Sequence, residues 1–325
     1  MGERRPIRSL KLGSILLGLL LLGLQLSADV GIGVGVGIGV GALSPRELRL
    51  EGSTTVLPIA ARAAELFQVL YPEIFVTIKG GGSSVGIAAL INGTTDIATA
   101  SRAMKPTERE RLPTAVEWVI AKDGIAIVVH PSNPVERVTF AQIAEIYTNP
   151  RVRNWKDFGG PDLPIVVVSR DTTSGTYGSF MDMVIEEVKG KGARLRPDVI
   201  YVGSNAEMVA TIEEAEGAIG YIGVGYLRPT VKVLPVSADG VTYVTASVET
   251  VLDGSYPISR SLYMYTDGVP LQEEPRGLFI DFIYSRTGQC VVLEQGFVPL
   301  YPIEEAVAPC RTLFEALGTE FIERE

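Results

Sequence analysis

Three short segments of this chain share one pattern, a polar Ser/Thr/Gly turn set between an apolar strand and a helix: Gly52-Ser53-Thr54-Thr55, Gly80-Gly81-Gly82-Ser83-Ser84 and Arg170-Asp171-Thr172-Thr173-Ser174-Gly175-Thr176. The third is the most constraining. It follows Pro164-Ile165-Val166-Val167-Val168, a run that reads as a buried strand, and precedes Tyr177 to Val188, where Phe180, Met181, Val184, Ile185 and Val188 recur at helical spacing. Such a turn leaves backbone N–H groups unpaired at a helix start, with hydroxyls beside them. Those donors, the positive end of the helix dipole and an arginine fork form a site for a tetrahedral oxyanion.

The rest of the chain places this pattern in an exported α/β protein. Arg4, Arg5, Arg8 and Lys11 precede an uncharged apolar run from Leu12 to Leu24, the layout of a signal peptide. A Gly/Val repeat from Gly31 to Val40 follows, and its alternate glycines make a poor helix, which favours a signal with a spacer over an uncleaved anchor reaching Val40. Cleavage after Ala28 or Ala42 fits the small-residue rule, and with no cysteine between residues 20 and 45 a lipid-modified N-terminus is excluded. Residues 1–45 carry a net +2, so the remainder carries −11 of the overall −9. That acidic surface excludes nucleic acid as a partner but not one small enclosed anion, which local donors govern. In an exported chain the two cysteines, Cys290 and Cys310, favour a disulfide, the alternative being two buried thiols. One histidine and no thiolate cluster argue against a metal site.

Strands are expected at 47–50, 74–78, 96–98, 116–120, 125–129, 164–168, 199–202, 218–222 and 263–265. Helices are expected at 57–70, 85–91, 106–112, 140–147, 177–188, 206–216, 278–284 and 289–293. This alternation implies α/β units with mostly parallel sheets, whose ligand sites lie at the C-terminal ends of strands.

The segments Glu51 to Ile59, Gly80 to Ile87, Asp96 to Arg102, Arg170 to Thr176 and Gly217-Ala218-Ile219-Gly220-Tyr221, in this order and spacing, resemble the phosphate-binding proteins of bacterial phosphate ABC importers. The resemblance spans nearly all of 48–325. It implies the type II periplasmic-binding-protein fold, two α/β lobes closing on a ligand, with lobe I at 46–125 plus 225–325 and lobe II at 126–224. By position it implies phosphate contacts from Thr54, Thr55 and Ser83 in the first lobe, and from Arg170, Ser174, Gly175 and Thr176 in the second. Ser53, Ser84, Ser101 and Arg102 complete the candidate set. One branch of the family has an aspartate where this chain has Ser101, to accept the proton of protonated phosphate; here Ser101-Arg102 stands instead, with Glu51 or Asp171 as substitute acceptors.

The implied partners are inorganic phosphate and a membrane permease, for a periplasmic or extracellular monomer without cofactor or catalysis. Sulfate or molybdate as ligand, and a phosphate sensor or surface protein as role, are the alternatives. A phosphate-ester hydrolase would need a nucleophile and base, yet His130 stands alone and no Gly-x-Ser-x-Gly elbow is present. Simpler readings of other residues are Asp96 as a structural group orienting Arg102, Glu108 to Arg111 as a solvated helix face, and Trp118, Tyr147 and Trp155 as packing.

Overall fold

The computed structural model describes residues 46–301 and 307–322. The leader, its spacer and both cleavage positions lie outside the described residues. No helix among the described residues is long and apolar enough to cross a membrane.

The chain opens with β1 (Arg46–Gly52), α1 (Leu57–Leu70), β2 (Ile74–Lys79), α2 (Ser83–Ile91), β3 (Ile97–Ala100) and α3 (Pro106–Arg111). β4 (Ala115–Val129), β5 (Val138–Thr139), α4 (Phe140–Thr148) and β6 (Val166–Arg170) follow. One helical run comes next, formed of α5 (Gly175–Phe180), a π turn (Met181–Ile185) and α6 (Glu186–Lys189); β7 (Ile200–Val202), α7 (Asn205–Glu214) and β8 (Ala218–Gly223) succeed it. The last part holds β9 (Lys232–Leu234), β10 (Val236–Ser237), α8 (Val248–Leu252), β11 (Ser259–Asp267), α9 (Pro275–Tyr284), α10 (Arg286–Glu294) and α11 (Val307–Ala316).

Eight strands hydrogen-bond in the order β2-β1-β3-β11-β4-β8-β6-β7, with β9 also on β4, and β5 pairs with β10 apart from them. The two ends, β2-β1-β3 and β8-β6-β7, are parallel three-strand groups built from βα units. Antiparallel β11 and β4 join them, so the sheet is mixed. β4 is the connector: its first part pairs with β11 and Ile125–Val129 pair with β8. The expectation of two strands at 116–120 and 125–129 is thus corrected to one unbroken strand. The turn signal of Asp123-Gly124 is overridden because the Asp123 carboxylate is taken by Arg260 directly across the ladder. Gly124 stays extended where a Cβ would lie 2.6 Å from Val251 Cγ2.

Helices cover the sheet with the faces their spacing dictates. α1 has Pro58 in its first turn and buries Ile59, Ala60, Ala63, Ala64, Leu66 and Phe67; Phe67 meets Phe279 and Phe282 of α9 edge-on at 5.1 and 5.8 Å. α4 starts at a capping box, Thr139 with Gln142. Trp155 and Tyr147 are fully buried, as a packing role requires. Asp96 is structural, but its partner is Arg49, which reaches it at 2.9 and 3.0 Å. Burial alone would raise the Asp96 carboxyl; the Arg49 guanidinium and N–H outweigh it and hold it below the usual carboxylate value.

Cys290 on α10 and Cys310 on α11 form a disulfide across a separation of 20 residues. Closing a loop of that length is worth about 3 kcal/mol through the unfolded state. Reduction is therefore expected to lower the melting temperature by roughly 6–12 °C in a domain this large, at 2–4 °C per kcal/mol. Calorimetry with and without reductant checks it, and superimposed traces would show that the bridge contributes nothing.

Candidate anion site

Each of the three turns ends its strand and starts a helix. After β1, Ser53 Oγ accepts from the N–H groups of Thr55 (3.1 Å) and Val56 (3.3 Å), which opens α1 and leaves the Thr54 and Thr55 hydroxyls free to point elsewhere. After β2, Gly82 has φ +101°, and a Cβ there would lie 2.7 Å from Thr173 Oγ1, so only glycine lets the second and third turns meet. After β6, Ser174 caps α5 by accepting from Tyr177 N–H at 3.3 Å. Gly175 then packs so tightly that a Cβ would come within 2.3 Å of Ser83 Oγ and 2.5 Å of Ser101 Oγ. A fourth helix, α7, starts at the same place, with Ser204 as its cap and Asn205 as its first residue. The first turns of α1, α2 and α5 contain no acidic residue, so their positive dipole ends stay unneutralised.

These starts bring hydroxyls from both three-strand groups into one buried cluster. Thr55 Oγ1 lies 3.0 Å from Thr176 Oγ1. Arg170 Nη2 donates to Thr54 Oγ1 (3.1 Å) and to Gly203 O (2.7 Å), while its Nε donates to Val202 O (3.2 Å). Ser83 Oγ accepts from Ser101 N–H at 3.0 Å and lies 3.4 Å from Ser101 Oγ. Tyr221 Oη accepts from the Arg170 N–H at 3.2 Å and holds the end of β6 in place. Thr55, Ser83, Ser101, Arg170 and Thr176 are each at most 1% exposed, and Ser174 is 3%.

Three members were not legible in the sequence: Asn205, Asp123 and Arg260. Asn205 Nδ2 donates to Thr55 Oγ1 at 3.1 Å. Arg260 Nη2 donates to Thr176 Oγ1 at 3.0 Å and to Asp123 Oδ2 at 2.7 Å, and Val224 N–H fills Asp123 Oδ1. The sequence offered little signal, because Asp123 and Arg260 both lie just outside the expected strands 116–120, 125–129 and 263–265. Burial pushes the Asp123 carboxyl up and the Arg260 guanidinium down, with their mutual contact opposing both shifts. Burial also lowers Arg170. Both arginines remain charged, since guanidinium does not deprotonate in proteins. Nη1 of Arg170 and Nη1 of Arg260 are buried and meet no hydrogen-bond acceptor.

Three expected members sit differently. The Arg102 guanidinium is turned to Glu108 at 2.7 and 2.8 Å and to Ser84 Oγ at 2.9 Å, so Arg102 is held outside the cluster with Ser84 as one of its acceptors. Glu108 is accordingly an ion-pair partner and not merely part of a solvated face; burial would raise it, and Arg102 with the Lys105 N–H brings it below its usual value. Ser53 Oγ is spent on holding the turn before α1, as described above. Of the two substitute acceptors, Asp171 Oδ1 is taken by the N–H (2.8 Å) and hydroxyl of Thr173, and Glu51 lines a separate depression with Arg49, Thr77 and Lys79. The arrangement offers donors: hydroxyls, an amide, two guanidinium groups and helix N-termini around one spot.

Comparison with known proteins agrees with this reading of the fold. Residues 40–287 match the PBP superfamily domain. The phosphate-binding protein PstS of Borreliella burgdorferi is 35% identical over 250 residues, covering 76% of this chain and 88% of its own length. PstS of Pseudomonas aeruginosa is 33% identical over 270 residues, covering 77% and 81%. Among solved structures, a phosphate ABC transporter substrate-binding protein of Clostridium perfringens with bound phosphate superimposes with a TM-score of 0.70 at 35% identity, over 79% of this chain and all of that one. By domain, sequence and fold, the chain belongs to the PBP superfamily and, within it, to the PstS family of phosphate-binding proteins.

Proposed function

We propose that the chain is an extracytoplasmic solute-binding protein that captures inorganic phosphate at the hydroxyl–arginine cluster and delivers it to the permease of an ABC importer. The observation that carries this reading is the pair of buried guanidinium nitrogens without an acceptor, Arg170 Nη1 and Arg260 Nη1, amid hydroxyls from both ends of the sheet. A buried cation with an unused donor calls for an anion, and phosphate has oxygens enough to serve both. The relatives' phosphate-binding names and the phosphate in the C. perfringens structure support the same ligand.

The two three-strand groups serve as the two lobes, 46–125 plus 225–325 and 126–224, with Thr54, Thr55 and Ser83 gripping from the first and Arg170, Ser174, Gly175 and Thr176 from the second. Bound phosphate stabilises the closed arrangement by touching both lobes at once, and opening releases it. No bond is made or broken. All the proposed ligands come from one chain, so a monomer suffices.

One observation favours wider oxyanion recognition. Thr54 Oγ1 already accepts from Arg170 Nη2 and Asn205 Nδ2, which leaves its own proton available to a ligand, and the buried carboxylate of the cluster, Asp123, is filled. A site whose buried carboxylate is already filled holds no dedicated acceptor for a phosphate proton, so it penalises sulfate, which lacks a proton to donate, less. Titration calorimetry of the ligand-stripped chain tests both points. One phosphate per chain is expected, with sulfate competing more weakly through its weaker acceptor oxygens. Absence of phosphate binding would discard the reading, and a sulfate preference would reassign the cargo.

A further inference from the structure

We propose that the rate at which phosphate leaves this chain is set by a latch between the lobes that never touches phosphate, made by Ser84 with Thr173 and by Ser179 with Ser101; this rests on the phosphate reading and the two-lobe closure above. The turns after β2 and β6 divide their residues between two tasks. Ser83 Oγ accepts from Ser101 N–H inside the cluster, and Ser174 caps α5. Their chain neighbours face each other instead. Ser84 is the second residue of α2, so its N–H has no partner within the helix; Thr173 O accepts it at 3.0 Å. Gly82 permits that approach, because a Cβ there would lie 2.8 Å from the same carbonyl oxygen.

Both sides of the latch are braced from within their own lobes. Thr173 N–H donates to Asp171 Oδ1 at 2.8 Å, and the Thr173 hydroxyl, shared with Asp171, reaches Gly81 O at 3.1 Å. On the other side Arg102, paired with Glu108, donates to Ser84 Oγ at 2.9 Å and so steadies the start of α2. One turn into the opposing helix, Ser179 Oγ donates to Ser101 O at 3.3 Å. The cluster's own cross-lobe contacts, Arg170 with Thr54 and Thr55 with Thr176, lie where the anion enters and exchange partners with it. The latch lies outside that exchange, so it favours the closed arrangement whether or not the cluster rearranges. Phosphate enters and leaves through the open arrangement, in which the latch is unmade. Weakening the latch therefore speeds release and leaves association alone.

The test is the rate at which radiolabelled phosphate leaves the loaded full chain into excess unlabelled phosphate, with association followed separately. Ser84→Pro removes the N–H, and proline suits the first turn of a helix, as Pro58 does in α1. Ser84→Ala, which keeps the N–H and loses only the hydroxyl, is its reference. Ser179→Ala removes the second contact and decides the matter should Ser84→Pro not fold. Release is expected to quicken roughly three- to tenfold in Ser84→Pro over Ser84→Ala, and by a similar factor in Ser179→Ala over the unaltered chain, with association unchanged. Release rates equal to their references, or slower association in place of faster release, would overturn the latch alone. An unaltered chain that binds no phosphate would overturn it together with the phosphate reading.

Discussion

Arg170→Ala is expected to weaken phosphate binding by roughly 10²–10³-fold or more, the loss associated with removing one partner of a buried charged contact, about 3–5 kcal/mol. The reason lies in how the side chain is spent. Nε and Nη2 are fixed on Val202 O, Gly203 O and Thr54 Oγ1, which orients the fork and leaves Nη1 as the free donor. The fold should survive. The variant leaves two carbonyls short of a donor, but it also removes a buried guanidinium that no carboxylate pairs, and these effects oppose each other. Arg170→Lys separates charge from geometry: it keeps the cation and loses the fork, so an intermediate affinity is expected. Titration calorimetry with a melting curve for each variant checks the set. Wild-type affinity in a folded Arg170→Ala chain would remove Arg170 from the site.

Asp123→Ala should produce the largest loss of stability, on the order of 3–5 kcal/mol, because it strands Arg260 as an unpaired buried charge. At 2–4 °C per kcal/mol for a domain of this size, the melting temperature would fall by roughly 6–20 °C. Asp123 is wholly buried, receives Arg260 at 2.7 and 3.0 Å and also accepts from Val224 N–H at 3.0 Å. The pair sits at the middle of the sheet, where β4 leaves β11 for β8, so its loss loosens the joint between the two three-strand groups as well as the site. Arg260→Met in the same chain should restore much of the stability, since replacing both members of a buried pair with apolar groups is often nearly neutral. Phosphate affinity would stay low in the double variant, because the second guanidinium is gone. A double variant no more stable than Asp123→Ala would show that Arg260 was not the cause.

How far the sequence reached depends on how local each signal was. The helix at 57–70 and the start of α3 at Pro106 were legible because caps, prolines and apolar spacing act within a few residues. The third turn was legible for the same reason: strand, Asp-Thr-Thr-Ser-Gly turn and helix follow one another without interruption. The Asp123–Arg260 pair was not, because 137 residues separate its members and only the β4–β11 register brings them face to face. Nor was the role of Arg102, whose charge could be assigned only once Glu108 was seen to turn back toward it. Asn205 escaped notice because a polar residue at a helix start reads first as a cap; Ser204 is the cap, which frees the Asn205 amide to reach Thr55. The continuity of β4 was missed because Asp-Gly is a strong turn signal locally, yet the aspartate and the glycine each satisfy a tertiary demand there.

The most direct test of the central claim is a crystal structure of the chain grown with phosphate. The account predicts tetrahedral density within hydrogen-bond distance of Arg170 Nη1, Arg260 Nη1 and the hydroxyls of Thr54, Thr55, Ser83 and Thr176, with the Thr55–Thr176 contact of 3.0 Å opened to admit it. Phosphate bound elsewhere, with that contact unchanged and both Nη1 atoms still lacking an acceptor, would contradict it.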